Sequence, residues 1–200
     1  MLDETGRNAE GRRHEYELSK RVSLVLHDPG ALVALKSTGR CEVELPEELF
    51  DADYPGHFFR RLRSVAITIA CVAGPYTRIN CMLTLLSSKV RIRGDSAPQY
   101  REQPPDPRFR YNAVAAQSVA TSTGQSDSGL FELNFADEGY LPFEGAGAIS
   151  RWRIDLPNDT NAFEFETISD IVLKLSFNAR EGGESLRKAA RTSRPSRGRR

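Results

Sequence analysis

Apolar and polar residues alternate along much of this chain, with the period of two that is typical of β-strands. The alternation is clear at 65–69 and again at 79–85, on either side of a Gly-Pro turn at 73–76. A strand with this pattern buries one face and exposes the other. We therefore expect two central strands, with the rest of the chain supplying further strands added to this pair.

Further stretches show the same alternation and are separated by turn residues. They lie at 16–26, 41–45, 117–122, 131–135, 152–156 and 171–177. About eight short strands with turns between them indicate a mainly β protein, an antiparallel β-sandwich that is jelly-roll-like. The segment 49–64, which lies before the central strands and is rich in aromatic and charged residues, is expected to contain a turn, at 51–57.

One short helix is predicted between the first two strands. Asp28 is a typical N-cap, Pro29 suits the first helical position, and Gly39 suits the position after the last turn. The sequence therefore predicts a mainly β domain at 14–183 with one or two short helices.

Three segments are predicted to lie outside the packed core. Residues 1–13 are polar and lack apolar periodicity, so they are expected to be disordered. Residues 94–112 hold four of the eleven prolines and are expected to form a mobile surface insertion. Residues 184–200 are expected to be a disordered basic tail.

The formal net charge of +1 hides an asymmetry along the chain. Residues 184–200 contain seven Lys or Arg and one acidic residue, a charge of +6, so residues 1–183 carry −5. A flexible basic tail gives salt-sensitive, unspecific binding to nucleic acid. The folded part lacks a basic face with interleaved aromatic residues, so no specific nucleic-acid partner is predicted.

No apolar run is long enough to cross a membrane, and the first residues lack the apolar stretch of a secretory signal peptide. Neither a transmembrane segment nor membrane contact is predicted. Cys41, Cys71 and Cys81 are an odd number without CxxC spacing. All three fall on predicted strands, where we expect buried free thiols rather than disulfides.

No arrangement of residues predicts catalysis. Ser126 and Ser128 do not have the spacing of a nucleophile elbow. Of the histidines, His14 lies in a polar end and His27 is expected to contact backbone. The arginines that follow His57 are expected to lower its pKa. We therefore predict that the chain is not an enzyme.

Metal and cofactor sites are also not predicted. Asp51 and Asp53 are too few ligands for a divalent cation, and we expect them to pair with Arg60, Arg61 or Arg63. The glycines at 145–147 lack the third glycine and the strand–turn–helix context of a dinucleotide site.

Six separated motifs, in order, resemble one family. They are LKSTGRCEVELP (35–46), DYPGH (53–57) with Arg60 and Arg61, GPYT (74–77), ATSTGQSDSGLFELN (120–134), YLPFEGAG (140–147), and TISDIVL (167–173) with AREGG (179–183). Together they resemble the C-terminal domain of the A component (TcA) of Tc insecticidal toxin complexes, the domain that binds the B component. The resemblance covers about residues 15–183.

The resemblance implies a non-enzymatic docking role in a bacterial virulence factor. The partner it implies is the β-propeller of the B component (TcB), which with the C component (TcC) encloses the toxic enzyme. It also implies a secreted toxin complex and a homo-pentameric A component. Family members carry a long chain before this domain and short ends after it. We therefore expect this chain to be a truncated, orphan or split copy that lacks much of the pentamer contact.

Partner-binding residues are predicted on three exposed turns, at 51–57, 124–129 and 141–147, because loops on a rigid scaffold commonly carry binding residues. An equal alternative is that these turns only cap strands and hold corners. The candidates are Asp51, Asp53, Tyr54, His57, Arg60, Arg61, Gln125, Asp127, Phe143 and Glu144.

A carbohydrate-binding, lectin-like module is the alternative function. Tyr140, Phe143 and Trp152 are aromatic residues that could stack on a sugar ring. Trp152, however, shares its side of the alternation with Ile154 and Leu156, which favours a position in the core.

Overall fold

The computed structural model describes residues 14–74, 77–96, 99–112, 119–125, 129–135 and 142–193. These residues form two antiparallel β-sheets packed as a sandwich, which confirms the predicted fold class. The strands are β1 (Glu15–Ser23), β2 (Arg40–Leu45), β3 (His57–Ala70), β4 (Arg78–Arg91), β5 (Phe109–Asn112), β6 (Val119–Gln125), β7 (Leu130–Asn134), β8 (Ile149–Asp155) and β9 (Asp170–Glu181).

Sheet A has the strand order β1-β9-β3-β7. Sheet B has the order β2-β8-β4-β5, and β6 pairs with the first half of β4. The helices are α1 (Leu24–His27), α2 (Pro29–Thr38), α3 (Glu47–Asp51) and α4 (Gly183–Thr192), with a short 3-10 helix at Phe165–Thr167.

The alternating residues fill the space between the sheets, as their period predicts. On β9, Ile171, Leu173, Leu175 and Phe177 are fully buried. Trp152 of β8 faces them from sheet B and is also fully buried, with its Nε1 donating to Ser150 Oγ over 2.8 Å. The core position predicted for Trp152 is confirmed.

The two central strands lie in opposite sheets and do not pair with each other. β3 pairs with β9 and β7, whereas β4 pairs with β8, β5 and β6. The prediction of one central pair to which other strands are added is therefore wrong. Alternation reveals which residues face the core, but both sheets of a sandwich have the same pattern.

The predicted helix is confirmed as α2. The Asp28 side chain accepts from the Ala31 N–H over 3.0 Å, and Gly39 ends the helix with φ +72°. The strand predicted at 16–26 stops earlier, at Ser23. There Asp170 accepts from the Ser23 hydroxyl and the Val25 N–H, and the chain turns into α1.

The Pro-rich segment is anchored to the fold, which corrects the predicted mobile surface insertion at 94–112. Tyr100, Asp106, Arg108 and Phe109 are each 6% exposed, and β5 pairs with the end of β4. Proline content indicated a loop but could not show that Tyr100 reaches the interior.

The predicted basic tail is partly ordered, because residues 183–192 form α4. Leu186 and Ala190 of this helix are fully buried against Phe58 and Tyr100. The prediction of disorder from residue 184 is wrong over the length of α4, because two apolar residues one turn apart provide a packing face. Predicted disorder at 1–13 and from 194 onward lies outside the described residues.

The three cysteines are buried free thiols, as predicted. Burial raises the pKa of Cys41 to about 12 and also raises the pKa of Cys71 and Cys81. None of the helices in the described ranges is long and apolar enough to cross a bilayer.

Candidate docking surface

Two of the three predicted turns meet beside the start of β3. α3 ends at Asp51, residues 52–56 form a turn, and β3 begins at His57. We call residues 51–61 the β3 corner. The corner has a buried inner side, formed by charged residues, and an exposed outer side.

The inner side is a network of buried ion pairs. Arg60 Nη2 donates to Asp51 Oδ1 over 2.6 Å, which confirms the predicted pairing of Asp51 with an arginine. Arg91 of β4 donates two bonds to Glu47 of α3, over 2.8 and 2.7 Å. Tyr100 from the Pro-rich segment donates its hydroxyl to Asp51 Oδ2 over 2.5 Å.

The network joins four parts of the chain while leaving little net charge in the interior. Two guanidinium groups, Arg60 and Arg91, balance the carboxylates of Asp51 and Glu47. Burial favours the uncharged form of Arg91 and so acts to lower its pKa. The hydrogen bonds and the charge of Glu47, with the other nearby anionic groups, have the larger combined effect and raise the pKa of Arg91. Burial raises the pKa of Tyr100, so its hydroxyl stays protonated and donates. These bonds fix the corner to both sheets.

The outer side faces the edge strand β1. Lys20 Nζ lies 2.7 Å from Asp53 Oδ2, and the Asp53 side chain is 48% exposed. Asp53 therefore pairs with Lys20, and its predicted pairing with an arginine of 60–63 is wrong. The Tyr54 hydroxyl donates to the Ser19 carbonyl oxygen over 3.0 Å.

His57 lies half-buried behind Tyr54, with ring centroids 6.1 Å apart. Burial lowers the pKa of His57, and the charge of Arg60 lowers it further, which confirms the predicted direction. The main cause is burial rather than the neighbouring cations. His27 is also placed as predicted, with Nε2 2.7 Å from the Glu44 carbonyl oxygen.

Phe59 has an unusual backbone conformation, with φ +56°. It lies where β3 bulges against β9, between the pairs Phe58–Arg180 and Arg61–Asn178. The extra residue lets Arg60 point inward to Asp51. The guanidinium carbons of Arg61 and Arg180 lie 4.9 and 4.1 Å from the centroid of the Phe59 ring. Left-handed backbone in a bulky residue is strained and occurs often at binding sites.

The connector at 142–148 runs along the corner. The Leu62 N–H donates to the Ala146 carbonyl oxygen, and the Gly145 N–H donates to the Leu62 carbonyl oxygen. Glu144 is exposed, whereas Phe143 is buried against Trp152 with ring centroids 4.8 Å apart. The second predicted turn therefore lies beside the first.

Gly129, the last residue of the third predicted turn, lies at the other end of β3. The Cys71 N–H donates to the Gly129 carbonyl oxygen over 3.0 Å. From Leu62 to Ala70 the strand extends roughly 26 Å at about 3.3 Å per residue. The candidates on this turn, the Gln125 side chain and Asp127, lie outside the described residues.

The structure thus sorts the ten predicted residues by what they offer a partner. Asp51, Arg60 and Phe143 are buried and belong to the interior, so they are corrected to structural residues. The corner exposes, in part or fully, Asp53, Tyr54, His57 and Arg61, and the neighbouring connector exposes Glu144.

Sequence analysis missed three residues of the outer side: Lys20, Phe59 and Arg180. Lys20 and Arg180 lie on other strands, so only the pairing of β1, β9 and β3 brings them here. Phe59 could have been predicted from sequence. Phe58 and Phe59 are adjacent aromatic residues directly before Arg60 and Arg61, and two such residues in a row break the alternation expected of a strand.

The described residues hold no group of three or more His, Cys, Asp or Glu side chains placed to bind a metal ion. One open surface groove of about 700 Å³ is lined by strand residues of sheet B such as Arg153, Asp155 and Met82. For the lectin-like alternative, Phe143 and Trp152 are both buried and offer no ring to a sugar, while Tyr140 lies outside the described residues.

Comparison with known proteins gives one family. A model described as "Tc toxin complex TcA C-terminal TcB-binding domain" matches residues 6–179. Toxin subunit YenA2 of Yersinia entomophaga is 32% identical over 184 residues, which cover 88% of this chain and 13% of YenA2. A cryo-EM structure of Yersinia pseudotuberculosis TcaA-TcaB aligns with 86% of this chain and 10% of its own, at 17% identity and a TM-score of 0.49.

Proposed function

Because this chain belongs to the family of C-terminal TcB-binding domains of the Tc toxin A component, we propose that it docks the B component of such a complex. The observation that carries the proposal is the family match, which spans residues 6–179 and so includes both sheets. The proposed partner surface is the β-propeller of the B component. The proposed role is assembly and not catalysis.

The β3 corner is the proposed contact. Its exposed residues Asp53, Tyr54 and Arg61 are mixed in charge and aromatic character, which is typical of contact patches. The buried network below them fixes the backbone of the corner, so little ordering is needed on binding. Glu144 on the neighbouring connector extends the same patch. Gln125 and Asp127 remain proposed as a separate contact.

The wider setting is also proposed from the family. The chain spans 13% of the length of YenA2, so what the whole toxin subunit does is not carried by this part alone. Action outside the producing bacterium as part of a toxin complex follows from family membership. The homo-pentamer is what the resemblance implies for the full-length A component, and it is not proposed for this chain.

A titration of the purified chain with a B component, followed by calorimetry or interferometry, tests the proposal. We expect saturable binding that is weakened at least about tenfold by the double variant Asp53→Lys/Arg61→Glu, because charge reversal at a contact opposes its partner. The matched control is Asp159→Lys/Arg110→Glu, which makes the same two kinds of change, one acid-to-base and one base-to-acid, at exposed sites in the turn after β8 and on β5, away from the corner.

Absence of binding by the folded chain would contradict the proposed function. Equal weakening by both double variants would remove the β3 corner as the contact, since a general charge effect would then explain the loss. Circular dichroism of each variant checks that the sandwich is intact.

A further inference from the structure

The family match ends at residue 179, so helix α4 at residues 183–192 lies beyond the part that the family role describes. α4 is nevertheless integrated into the fold. Leu186 and Ala190 are fully buried and form a small apolar cluster with Phe58 and Tyr100, separate from the main core. The apolar face of α4 is therefore already occupied by its own chain.

α4 lies directly beside the proposed docking corner. The Gly182 N–H donates to the Gly56 carbonyl oxygen over 2.9 Å. A side chain at Gly56 would place its Cβ 2.7 Å from Arg187 Cα, so the helix backbone lies against the turn. At the other end of α4, Arg101 donates to the Ser193 carbonyl oxygen over 3.2 Å.

The exposed face of α4 is basic. Arg187 is ion-paired with Glu181 and Glu184, but Lys188 and Arg191 are exposed and form no ion pair with any residue that the structure describes. From 187 to 200 the sequence has seven Lys or Arg and no acidic residue.

The outer face of sheet B differs from α4, because basic residues there are paired with acidic residues on neighbouring strands. Arg40 pairs with Asp155 across β2 and β8, and Glu42 pairs with both Arg151 and Arg153. Those cations are neutralised by neighbouring strands, whereas Lys188 and Arg191 of α4 are not. These two unpaired cations lie on the helix that packs beside the docking corner.

We propose that the basic face of α4 is a second contact that engages an acidic surface of the docked protein partner. This inference rests on the proposed function and deepens it, since it assigns the chemistry of the partner face opposite α4. The contact is continuous with the β3 corner through Gly56 and Arg187. Unpaired cations at a rim attract an acidic patch and speed its association.

Two other anionic partners fit the observations less well. A membrane-binding helix inserts its apolar face into lipid, but the apolar face of α4 is buried against Phe58 and Tyr100. Single-stranded nucleic acid is bound through exposed aromatic residues among basic ones, and 183–200 contains no aromatic residue. Residues 1–183 also carry −5, which repels a long polyanion.

The test compares association kinetics with a B component for three forms of the full chain. In K188Q/R191Q the two unpaired cations are neutralised while helix-forming side chains are kept. In the matched control R21Q/K174Q, two exposed basic residues that face each other across β1 and β9 are neutralised. We expect the association rate constant to fall about three- to tenfold for K188Q/R191Q, with little change in dissociation and a weaker salt dependence, and to stay near wild type for the control.

Each alternative outcome is distinct. Wild-type kinetics in K188Q/R191Q would overturn the inference and leave the proposed function standing, whereas no binding by the wild-type chain would overturn both. A duplex DNA probe and phosphatidylserine vesicles are run in parallel. If either binds as tightly as the B component and is lost in K188Q/R191Q, α4 is a general anion-binding element and the inference is wrong.

Discussion

At the scale of single residues, two aspartates that look alike in sequence have different roles. Asp51 is fully buried and accepts from Arg60 and Tyr100, whereas Asp53 is half exposed and pairs with Lys20. The turn after α3 separates them, so one points into the sandwich and the other points out of it.

This difference predicts different costs of substitution. Asp51→Ala leaves the buried Arg60 without its closest carboxylate and is expected to lower the free energy of unfolding by about 3–5 kcal/mol. Asp53→Ala removes an exposed pair and is expected to cost about 0–1 kcal/mol. Urea denaturation measures both. Similar costs for the two variants would contradict the assignment of Asp51 to the interior.

A second residue-scale prediction concerns pH. Asp106 accepts from Arg108 Nη2 over 2.6 Å and from Arg108 Nε over 2.9 Å, which lowers the pKa of Asp106. Because this pKa is lower in the folded chain, the unfolded chain binds the proton more readily. The stabilisation is therefore present above the unfolded pKa, about 4, and is lost as pH falls further.

Asp106→Asn is expected to be less stable than wild type at pH 7, with the difference shrinking below about pH 4. Denaturation midpoints across this range measure it, with the exposed Asp159→Asn as the control. A difference that is constant with pH would show that the ionised carboxylate does not stabilise the Pro-rich segment.

At the scale of elements, α4 depends on a glycine far away in sequence. Gly56 has φ +83° and faces the backbone of Arg187, so a side chain there strains the turn and displaces the helix. Gly145 has φ +80° but nothing within 4 Å of an added Cβ. Alanine at Gly145 therefore introduces the same kind of backbone strain without a steric contact. The two glycines form a matched pair for substitution by alanine.

Hydrogen exchange of the α4 amides is expected to increase in Gly56→Ala and to stay unchanged in Gly145→Ala. Both variants incur backbone strain of about 1–2 kcal/mol, but only the first creates a contact with α4. Protection of α4 that survives Gly56→Ala would show that the helix is not held against the corner.

The sequence pattern predicted most of the strands and helix α2, but not which strands pair with one another or where α4 packs. The alternation at 171–177 and the cap at Asp28 depend on neighbouring residues, and both appear as expected in β9 and α2. The placement of β3 and β4 in opposite sheets depends on pairing partners far along the chain. α4 was missed because its apolar face has only Leu186 and Ala190 amid strong positive charge.

The exposed residues of the β3 corner were also only partly predictable, because their orientation depends on contacts with other elements. Exposed turns were expected to carry the contact, yet the bulge at Phe59 and the partners of Asp51 decide which side chains face outward. Of the predicted residues, Asp51, Arg60 and Phe143 are buried because each has a charged or aromatic partner on another element of the fold. The pairing of Asp51 with an arginine was predicted, but its burial was not, because burial of this pair also depends on Tyr100 and Glu47.

At the scale of the whole molecule, the sandwich is a rigid support with one end adapted for contact. α3, the Pro-rich segment, the start of β3 and α4 meet at that end and are joined by the network around Tyr100. Gly129 lies at the opposite end. A partner that covers the β3 corner alone would therefore leave the far end of β3 accessible.

The most direct test of this account is hydrogen exchange of the chain with and without a saturating B component. We predict new protection at residues 52–57 and over α4, with little change on β2 and β8 of sheet B. Protection confined to sheet B, or no change in a chain that remains folded, would contradict the proposal that this domain docks its partner through the β3 corner.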